Sequence, residues 1–356
     1  MAPRAIAMVA FASAVGMAQE AGLAAIAGEY AAAAPAAARA LLDVAAAVPG
    51  DRAPTVDAPF VFFHLRKSAG TLIRKELVAQ AMRRKLPTFV PCHTAPCDTY
   101  GAGDFHAAVI GGHLYFSSVA WALRRGANPN PALRAAPSAN FSCFTILRRP
   151  LARVESCWNF RMRGRRGPRA RLAARLTGGA GALARRRAVP KPFIAMGAAE
   201  LREALPLALD EYGHGCNNEA LRIFADAGQA ETTVNNATAA DRRAAPALLD
   251  SALRNMQRCV VGVLERCEET VEALSATYPW IPRLPCARRA NSYGANVRAG
   301  GALAAGLSYA PDALAEVARQ NALEEHVYAV ANAMLDAQLA MLRARGWAAG
   351  PAAPAV

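Results

Sequence analysis

Short apolar runs followed by polar or small turns organise the middle of the chain. Phe60 to Phe63 is rich in β-forming residues and is typical of a strand buried on both faces, and apolar residues from Leu72 to Met82 recur at helical spacing. Residues 107–110 and 144–147 form two more such runs. The pattern predicts three strands here, the first followed directly by a helix.

The later part of the chain continues this alternation. Residues 259–266 are predicted as a strand, and residues 267–278 as the helix that follows it. Apolar residues three and four positions apart predict a closing amphipathic helix over 321–343.

The turn after the first strand has the composition of an anion-binding loop. Lys67 is followed by Ser68, Ala69, Gly70 and Thr71, which are small or carry a hydroxyl group. Such a loop directs backbone N–H groups and the positive end of a helix dipole towards one point. The lysine precedes the glycine, unlike in the nucleotide triphosphatases. An ordinary strand–helix turn is the alternative interpretation of this segment.

A histidine stands where the second strand is predicted to end. His113 follows Gly111 and Gly112, and open α/β sheets bind their ligands at the carboxyl ends of strands. An unperturbed imidazole titrates near pH ~6.5 and accepts a proton at neutral pH. His113 is therefore a candidate catalytic base, and a hydrogen-bonded core histidine is the alternative.

The third strand precedes a second group of anion-binding residues. Arg148 stands at its predicted end, Pro150 suits the first position of a helix, and Ser156 follows two turns into that helix. A guanidinium offers a charged, forked donor to a phosphate. A strand–helix unit with solvated arginines is the alternative for this segment alone.

Together these segments resemble one family. The Lys67 loop is similar to the 5′-phosphosulfate loop of sulfotransferases that use 3′-phosphoadenosine 5′-phosphosulfate (PAPS), and the spacing of Arg148 and Ser156 is similar to their 3′-phosphate motif. H-x-x-K-[ST]-x-G-T, and G-H-x-x-[FY] around His113, look most like the membrane-bound carbohydrate sulfotransferases related to heparan sulfate and uronyl 2-O-sulfotransferases. The resemblance covers residues 58–343.

The resemblance implies a fold and an activity. The fold is α/β, a P-loop-like, open and mostly parallel sheet flanked by helices, and the activity is transfer of a sulfuryl group from PAPS to a glycan hydroxyl without a metal. His113 and Lys67 are implied as the catalytic residues. The implied cofactor-binding residues are Lys67, Ser68, Ala69, Gly70, Thr71, Leu72, Arg148, Ser156, Arg288 and Arg289.

Three positions depart from the family pattern. Arg66 stands where proline is usual, Ala69 replaces a frequent glycine, and Arg149 replaces an acidic residue or asparagine. The first two are expected to alter the shape of the loop, and the third adds positive charge near the cofactor. None removes a donor that the transfer needs.

The charge of the chain indicates an anionic partner. With 41 Lys and Arg against 27 Asp and Glu, the net charge is +14, which suits nucleic acid, an anionic membrane surface or an acidic polymer. A basic insert near 161–190 is predicted as a mobile surface loop or a site for a polyanionic glycan. Aromatic residues do not interleave with its arginines, so we expect an anionic glycan and no nucleic acid.

The N-terminal region predicts entry into the secretory pathway. Residues 1–20 are predicted as a signal peptide or short signal anchor, with a transit peptide or a plain alanine-rich helix as the alternatives. Residues 21–57 are predicted as an Ala/Pro-rich stem, 58–345 as the sulfotransferase domain and 346–356 as a disordered tail. The expected location is the Golgi membrane or lumen.

The eight cysteines include no C-x-x-C pair, which argues against a zinc site. Cys92 and Cys97 flank a loop and are candidates for a local disulfide in a luminal protein, whereas Cys143 and Cys259 lie in apolar runs and are predicted as inert core residues. Asn140-Phe-Ser and Asn236-Ala-Thr are glycosylation sequons, which have a meaning only if the protein enters the secretory pathway.

Three other functions compete with the sulfotransferase hypothesis. A nucleotide-dependent kinase needs a magnesium-binding carboxylate beside the phosphate loop, and a sugar-nucleotide glycosyltransferase typically carries an Asp-x-Asp, which this chain lacks. A non-catalytic protein that binds acidic glycans through its arginines, on a sulfotransferase fold, is the third.

Overall fold

The computed structural model describes the greater part of the chain. The described residues are 2–46, 53–91, 105–125, 141–163, 193–207, 217–225, 239–284, 286 and 309–347. The predictions that fall outside them concern Arg288 and Arg289, Cys92 and Cys97, both sequon asparagines, the basic insert beyond Arg163 and the tail from residue 348.

A five-stranded, all-parallel sheet forms the centre of the molecule. Its strands are β1 (Phe60–Phe63), β2 (Thr88–Phe89), β3 (Val109–Gly112), β4 (Ser142–Leu147) and β5 (Val260–Val263). They are arranged in the order β2-β3-β1-β4-β5. The central strand β1 is fully buried, as its run of apolar residues predicts. The predicted α/β class and the open parallel sheet are confirmed, and the arrangement is compatible with a P-loop-like fold.

Helices flank this sheet. They are α1 (Ala2–Ala46), α2 (Gly70–Arg83), α3 (Phe116–Arg125), α4 (Pro150–Arg163), α5 (Ala198–Leu207), α6 (Glu219–Phe224), α7 (Ala239–Met256), α8 (Cys267–Thr277), α9 (Pro311–Gln320) and α10 (Ala322–Ala344). Helices α2, α4, α8 and α10 lie where the sequence predicts them.

Three strands differ in extent from their predictions. β4 begins two residues earlier than predicted, at Ser142. β3 begins two residues later than predicted and includes Gly111 and Gly112, which pair with Phe62 and Phe63 of β1. β5 stops at Val263 instead of continuing to residue 266, because the Thr270 hydroxyl is hydrogen-bonded to both the N–H and the carbonyl oxygen of Val263. A 3-10 turn (Leu264–Arg266) follows.

Helix α1 differs most from expectation. The sequence predicts a stem over 21–57, but α1 continues to Ala46 and packs along α10 and α7. Leu23, Ala27, Ala34, Ala38 and Leu42 are buried in the main hydrophobic core. Their spacing of four and seven residues places them on one face of the helix. The described part of this segment is therefore packed on the domain, and within the described residues no helix is long and apolar enough to cross a membrane.

Cys143 and Cys259 are buried in the core as predicted, but the prediction that they are inert, unbonded thiols is wrong. They form a disulfide with Cα atoms 4.6 Å apart. Phe144 of β4 pairs with Val260 of β5, so the two preceding cysteines face each other across neighbouring strands. A second disulfide joins Cys267 to Cys286, and Cys157 is disulfide-bonded as well.

Candidate functional site

The loop between β1 and α2 has an unusual backbone. Lys67 and Ala69 are both left-handed, with φ angles of 65° and 59°. Left-handed backbone costs a non-glycine residue on the order of 1–3 kcal/mol and is concentrated at functional sites. The two reversals lead directly into α2, which begins at Gly70. The alanine that replaces a frequent family glycine thus occupies a position that glycine adopts without strain.

This loop leaves hydrogen-bond donors for a ligand. The Ser68 hydroxyl is buried and, among the described residues, has no hydrogen-bond partner. The first N–H groups of an α-helix also tend to lack intrahelical acceptors. In α2 the N–H of Leu72 donates to the carbonyl oxygen of Ala69 at 3.1 Å, and the N–H groups of Gly70 and Thr71 are the candidates for a ligand. An orphaned hydroxyl beside a helix N-terminus fits an anion such as a phosphate.

Arg148 lies against the same loop. It follows β4, the neighbour of β1, and its Nη1 donates a hydrogen bond of 3.0 Å to the carbonyl oxygen of Lys67. Burial, together with the positive charge of Arg148, lowers the pKa of Lys67, and burial lowers the pKa of Arg148. Two cations that are partly desolvated and close together are stabilised by an anion bound between them.

The imidazole of His113 has a defined tautomer. Its Nδ1 lies 2.7 Å from the carbonyl oxygen of His64. Because a carbonyl oxygen can only accept, Nδ1 carries the proton and Nε2 is the basic nitrogen of the neutral ring. Burial, followed by the charge of Arg66, lowers the pKa of His113 to about 4. The ring is therefore neutral and able to accept a proton at neutral pH.

His64 connects this histidine to the phosphate loop. Its ring stacks on that of His113 with centroids 4.2 Å apart. Its other side meets Gly70, where a Cβ atom would lie 1.7 Å from Cδ2 of His64. Only glycine fits at this first residue of α2 without displacing the ring. The first histidine and the glycine of H-x-x-K-[ST]-x-G-T are thus in direct contact.

A buried polar network lies beside the loop and was missed by the sequence analysis. It joins α4, α6, α9 and α10, and we call it the junction network. Its members are Arg153, Asn217, Asn218, Glu219, Gln320, Asn321 and Glu324.

Arg153 is the centre of the junction network. Its side chain is fully buried, contacts Glu324 through Nε and Nη2 at 2.5 and 2.6 Å, and donates from Nη1 to Glu219 at 3.0 Å. These partners come from segments 66 and 171 residues away in the chain. In the sequence Arg153 lies between Arg148 and Ser156. Its apolar sequence neighbours were the only sign that its side chain is buried.

The predicted site residues are distributed as follows. Residues 67–72 form the loop and the first turn of α2, and His113 and Arg148 follow β3 and β4, the two strands that pair with β1. Ser156 is half-buried on α4. The described residues contain no cluster of three His, Cys, Asp or Glu side chains able to hold a metal ion.

No protein-family model, curated protein or solved structure matches the chain.

Proposed function

We propose that the protein is a sulfotransferase that moves a sulfuryl group from PAPS to a hydroxyl group of an anionic glycan. The observation that carries this proposal is the hydrogen bond from Arg148 to the carbonyl oxygen of Lys67. It brings the two segments that resemble the 5′- and 3′-phosphate motifs to one place, as a ligand with two separate phosphates requires.

PAPS supplies the sulfuryl group and leaves as 3′-phosphoadenosine 5′-phosphate (PAP). Ser68, Ala69, Gly70, Thr71 and Leu72 bind the 5′-phosphate with the donors of the loop and the first turn of α2. Arg148 and Ser156 bind the 3′-phosphate.

The remaining chemistry belongs to His113 and Lys67. Nε2 of His113 takes the proton of the acceptor hydroxyl as its oxygen forms the new bond to sulfur, and releases that proton to water. Lys67 neutralises the negative charge that develops on the bridging oxygen when the sulfur–oxygen bond of the donor breaks. Burial lowers the pKa of Lys67, and in such a partly desolvated place the charge of an ammonium group acts strongly.

The cysteines support a location in the secretory pathway. Every cysteine among the described residues is in a disulfide, and disulfides persist in oxidising compartments. We propose the Golgi lumen or membrane, where glycans are the available acceptors.

Calorimetry with PAP and with ADP tests the proposal first. We expect PAP to bind and ADP, which lacks the 3′-phosphate, to bind at least about tenfold more weakly. A labelled-sulfate transfer assay over acidic and neutral glycans then tests turnover. Equal affinity for PAP and ADP, or magnesium-dependent ATP turnover, contradicts the proposal in favour of a kinase. Binding of heparin without binding of PAP favours a non-catalytic glycan-binding protein.

A further inference from the structure

Arg66 connects the phosphate loop to the junction network. Its backbone N–H donates to Oε1 of Glu219 at 3.2 Å, and its Nη1 lies 3.3 Å from the same oxygen. The Glu219 side chain is buried, whereas that of Arg66 is about one-fifth exposed. Arg66 directly precedes Lys67, the first left-handed residue of the loop.

Glu219 is itself held in place from two sides. Its Oε2 accepts from Arg153, and its backbone N–H donates to Glu324 at 2.8 Å. Arg66 and Arg153 thus alternate with Glu219 and Glu324 along these contacts. Although burial raises it, the positive charges of Arg66, Arg153 and Arg222 lower the pKa of Glu219. Glu219 is therefore a fixed carboxylate to which the loop is attached.

We infer that Glu219 is a positioning residue that holds the phosphate loop in its anion-binding conformation through Arg66. The inference rests on the proposed function, because the loop is taken to bind the 5′-phosphate. A proline in place of Arg66 would fix φ at this position but would have no N–H group. In this chain the N–H and the guanidinium both donate to Glu219, so an ion pair supplies the restraint that the ring would otherwise give.

Electrostatics and positioning predict opposite effects when Glu219 is changed. A carboxylate near an anion site repels the anion, so Glu219→Gln on electrostatic grounds alone should tighten PAP binding. If Glu219 positions the loop, the same change should weaken PAP binding. The variant leaves Arg153 paired with Glu324, and Arg66 is partly exposed. Buried Arg222 loses the attraction of the Glu219 carboxylate, so the fold of the variant is checked before its PAP affinity is compared.

PAP affinity is measured by calorimetry for the wild type, Glu219→Gln, Arg66→Gln and the double variant. We expect each single change to weaken PAP binding about tenfold, the usual size of a hydrogen bond to a charged group. The double variant should lose little more PAP affinity than the single variant that binds PAP more weakly, because both single changes remove the same Arg66–Glu219 contact. Arg83→Gln, which breaks the exposed Arg83–Glu76 pair on α2, is the control and should bind PAP as the wild type does.

Unchanged or tighter PAP binding in a folded Glu219→Gln protein overturns the inference. If that variant fails to fold, hydrogen exchange of the loop amides in ligand-free Arg66→Gln decides. Faster exchange than in Arg83→Gln supports positioning, and equal exchange refutes it. A wild type that does not bind PAP contradicts the proposed function, whereas a wild type that binds PAP no better than Glu219→Gln contradicts only the present inference.

Discussion

The loop between β1 and α2 is half-buried and the junction network is buried; both are polar, but they differ in how their polar groups are paired. In the junction network, Asn217 donates to Gln320 at 2.7 Å, Asn218 donates to the carbonyl oxygen of Gln320 at 2.8 Å, and Asn321 donates back to Asn217 at 3.1 Å. Its arginine faces two carboxylates. The loop region instead brings Lys67 against Arg148 and leaves the Ser68 hydroxyl unpartnered among the described residues.

This difference distinguishes polar groups that stabilise the fold from polar groups that are suited to bind a ligand. A buried polar network whose hydrogen bonds are complete stabilises one arrangement of the chain and needs no ligand. A partly buried group in which like charges meet, and in which the Ser68 hydroxyl has no partner among the described residues, is held in place by the fold, and a bound anion would stabilise it. Changes in the two regions should therefore affect different measurements.

The largest effect is expected for His113→Ala. Removal of the base should lower the rate of sulfate transfer about 10²- to 10⁴-fold, the usual contribution of a general base. PAP affinity should change little, because the imidazole is assigned to the acceptor. His106→Ala, which removes an exposed histidine three residues before β3, is the control. Transfer in His113→Ala at the rate of this control would remove His113 from the mechanism.

Arg153→Ala tests the junction network. It should lower the free energy of unfolding by about 3–5 kcal/mol, because Glu324 would remain buried without the cation that pairs with it, and Glu219 would keep only the charges of Arg66 and Arg222. Urea denaturation measures this loss. Arg254→Ala breaks the exposed Arg254–Asp250 pair on α7 and should cost less than about 1 kcal/mol. Equal losses in the two variants would mean that the buried network stabilises the fold no more than a surface pair does.

In contrast to Arg153→Ala, Arg148→Ala should affect PAP binding and not the stability of the fold. It should weaken PAP binding about 10- to 100-fold, which corresponds to the loss of charged hydrogen bonds to a phosphate. The free energy of unfolding should change little. Relief of the repulsion from Lys67 and Arg153, and of the desolvation of the guanidinium, offsets the lost hydrogen bond and the lost attraction of Glu265 and Glu155. Calorimetry and urea denaturation measure the two quantities. Arg149→Ala removes an exposed charge one residue away and is the control. Equal weakening by both changes would indicate general charge attraction instead of a specific phosphate contact.

The sequence predicted the loop more completely than the junction network for a physical reason. The loop consists of consecutive residues, so strand, lysine, small residues and helix are visible together from Phe60 to Leu77. The junction network joins residues separated by up to 171 positions, and no local pattern indicates that Arg153 meets Glu324. The contacts of His64 and of Arg66 could not be predicted for the same reason, although both residues lie within the segment that matches H-x-x-K-[ST]-x-G-T.

Gly70→Ala tests the contact between the loop and His64. A Cβ atom at this position would lie 1.7 Å from the His64 ring, so we expect a loss of about 1–3 kcal/mol in the free energy of unfolding, as in other overpacked sites. The same change should cost less in a His64→Ala background, where the ring is absent. Gly28→Ala on α1, where nothing lies within 4 Å, should be slightly stabilising. An equal cost of Gly70→Ala with and without the His64 ring would contradict the contact.

The pH dependence of transfer gives the smallest effect and tests the charge balance around His113. Burial and the positive charges of Arg66 and Arg74 lower its pKa, whereas Glu219 and the hydrogen bond to the His64 carbonyl oppose them, with a result of about 4. Activity should therefore stay level as the pH falls through the ordinary histidine pKa of about 6.5.

Below that range kcat/KM should fall as the free enzyme takes up the proton at Nε2. Arg66→Gln removes one of the charges that lower the pKa, so its acid limb should move to higher pH, whereas Arg83→Gln should leave it in place. The magnitude of kcat/KM in Arg66→Gln depends on the loop, but the position of its acid limb depends on His113. A limb centred near pH ~6.5 in the wild type would show that His113 is solvated like a free imidazole. The loop region would then not be desolvated and rich in cations, and its contrast with the junction network would fail.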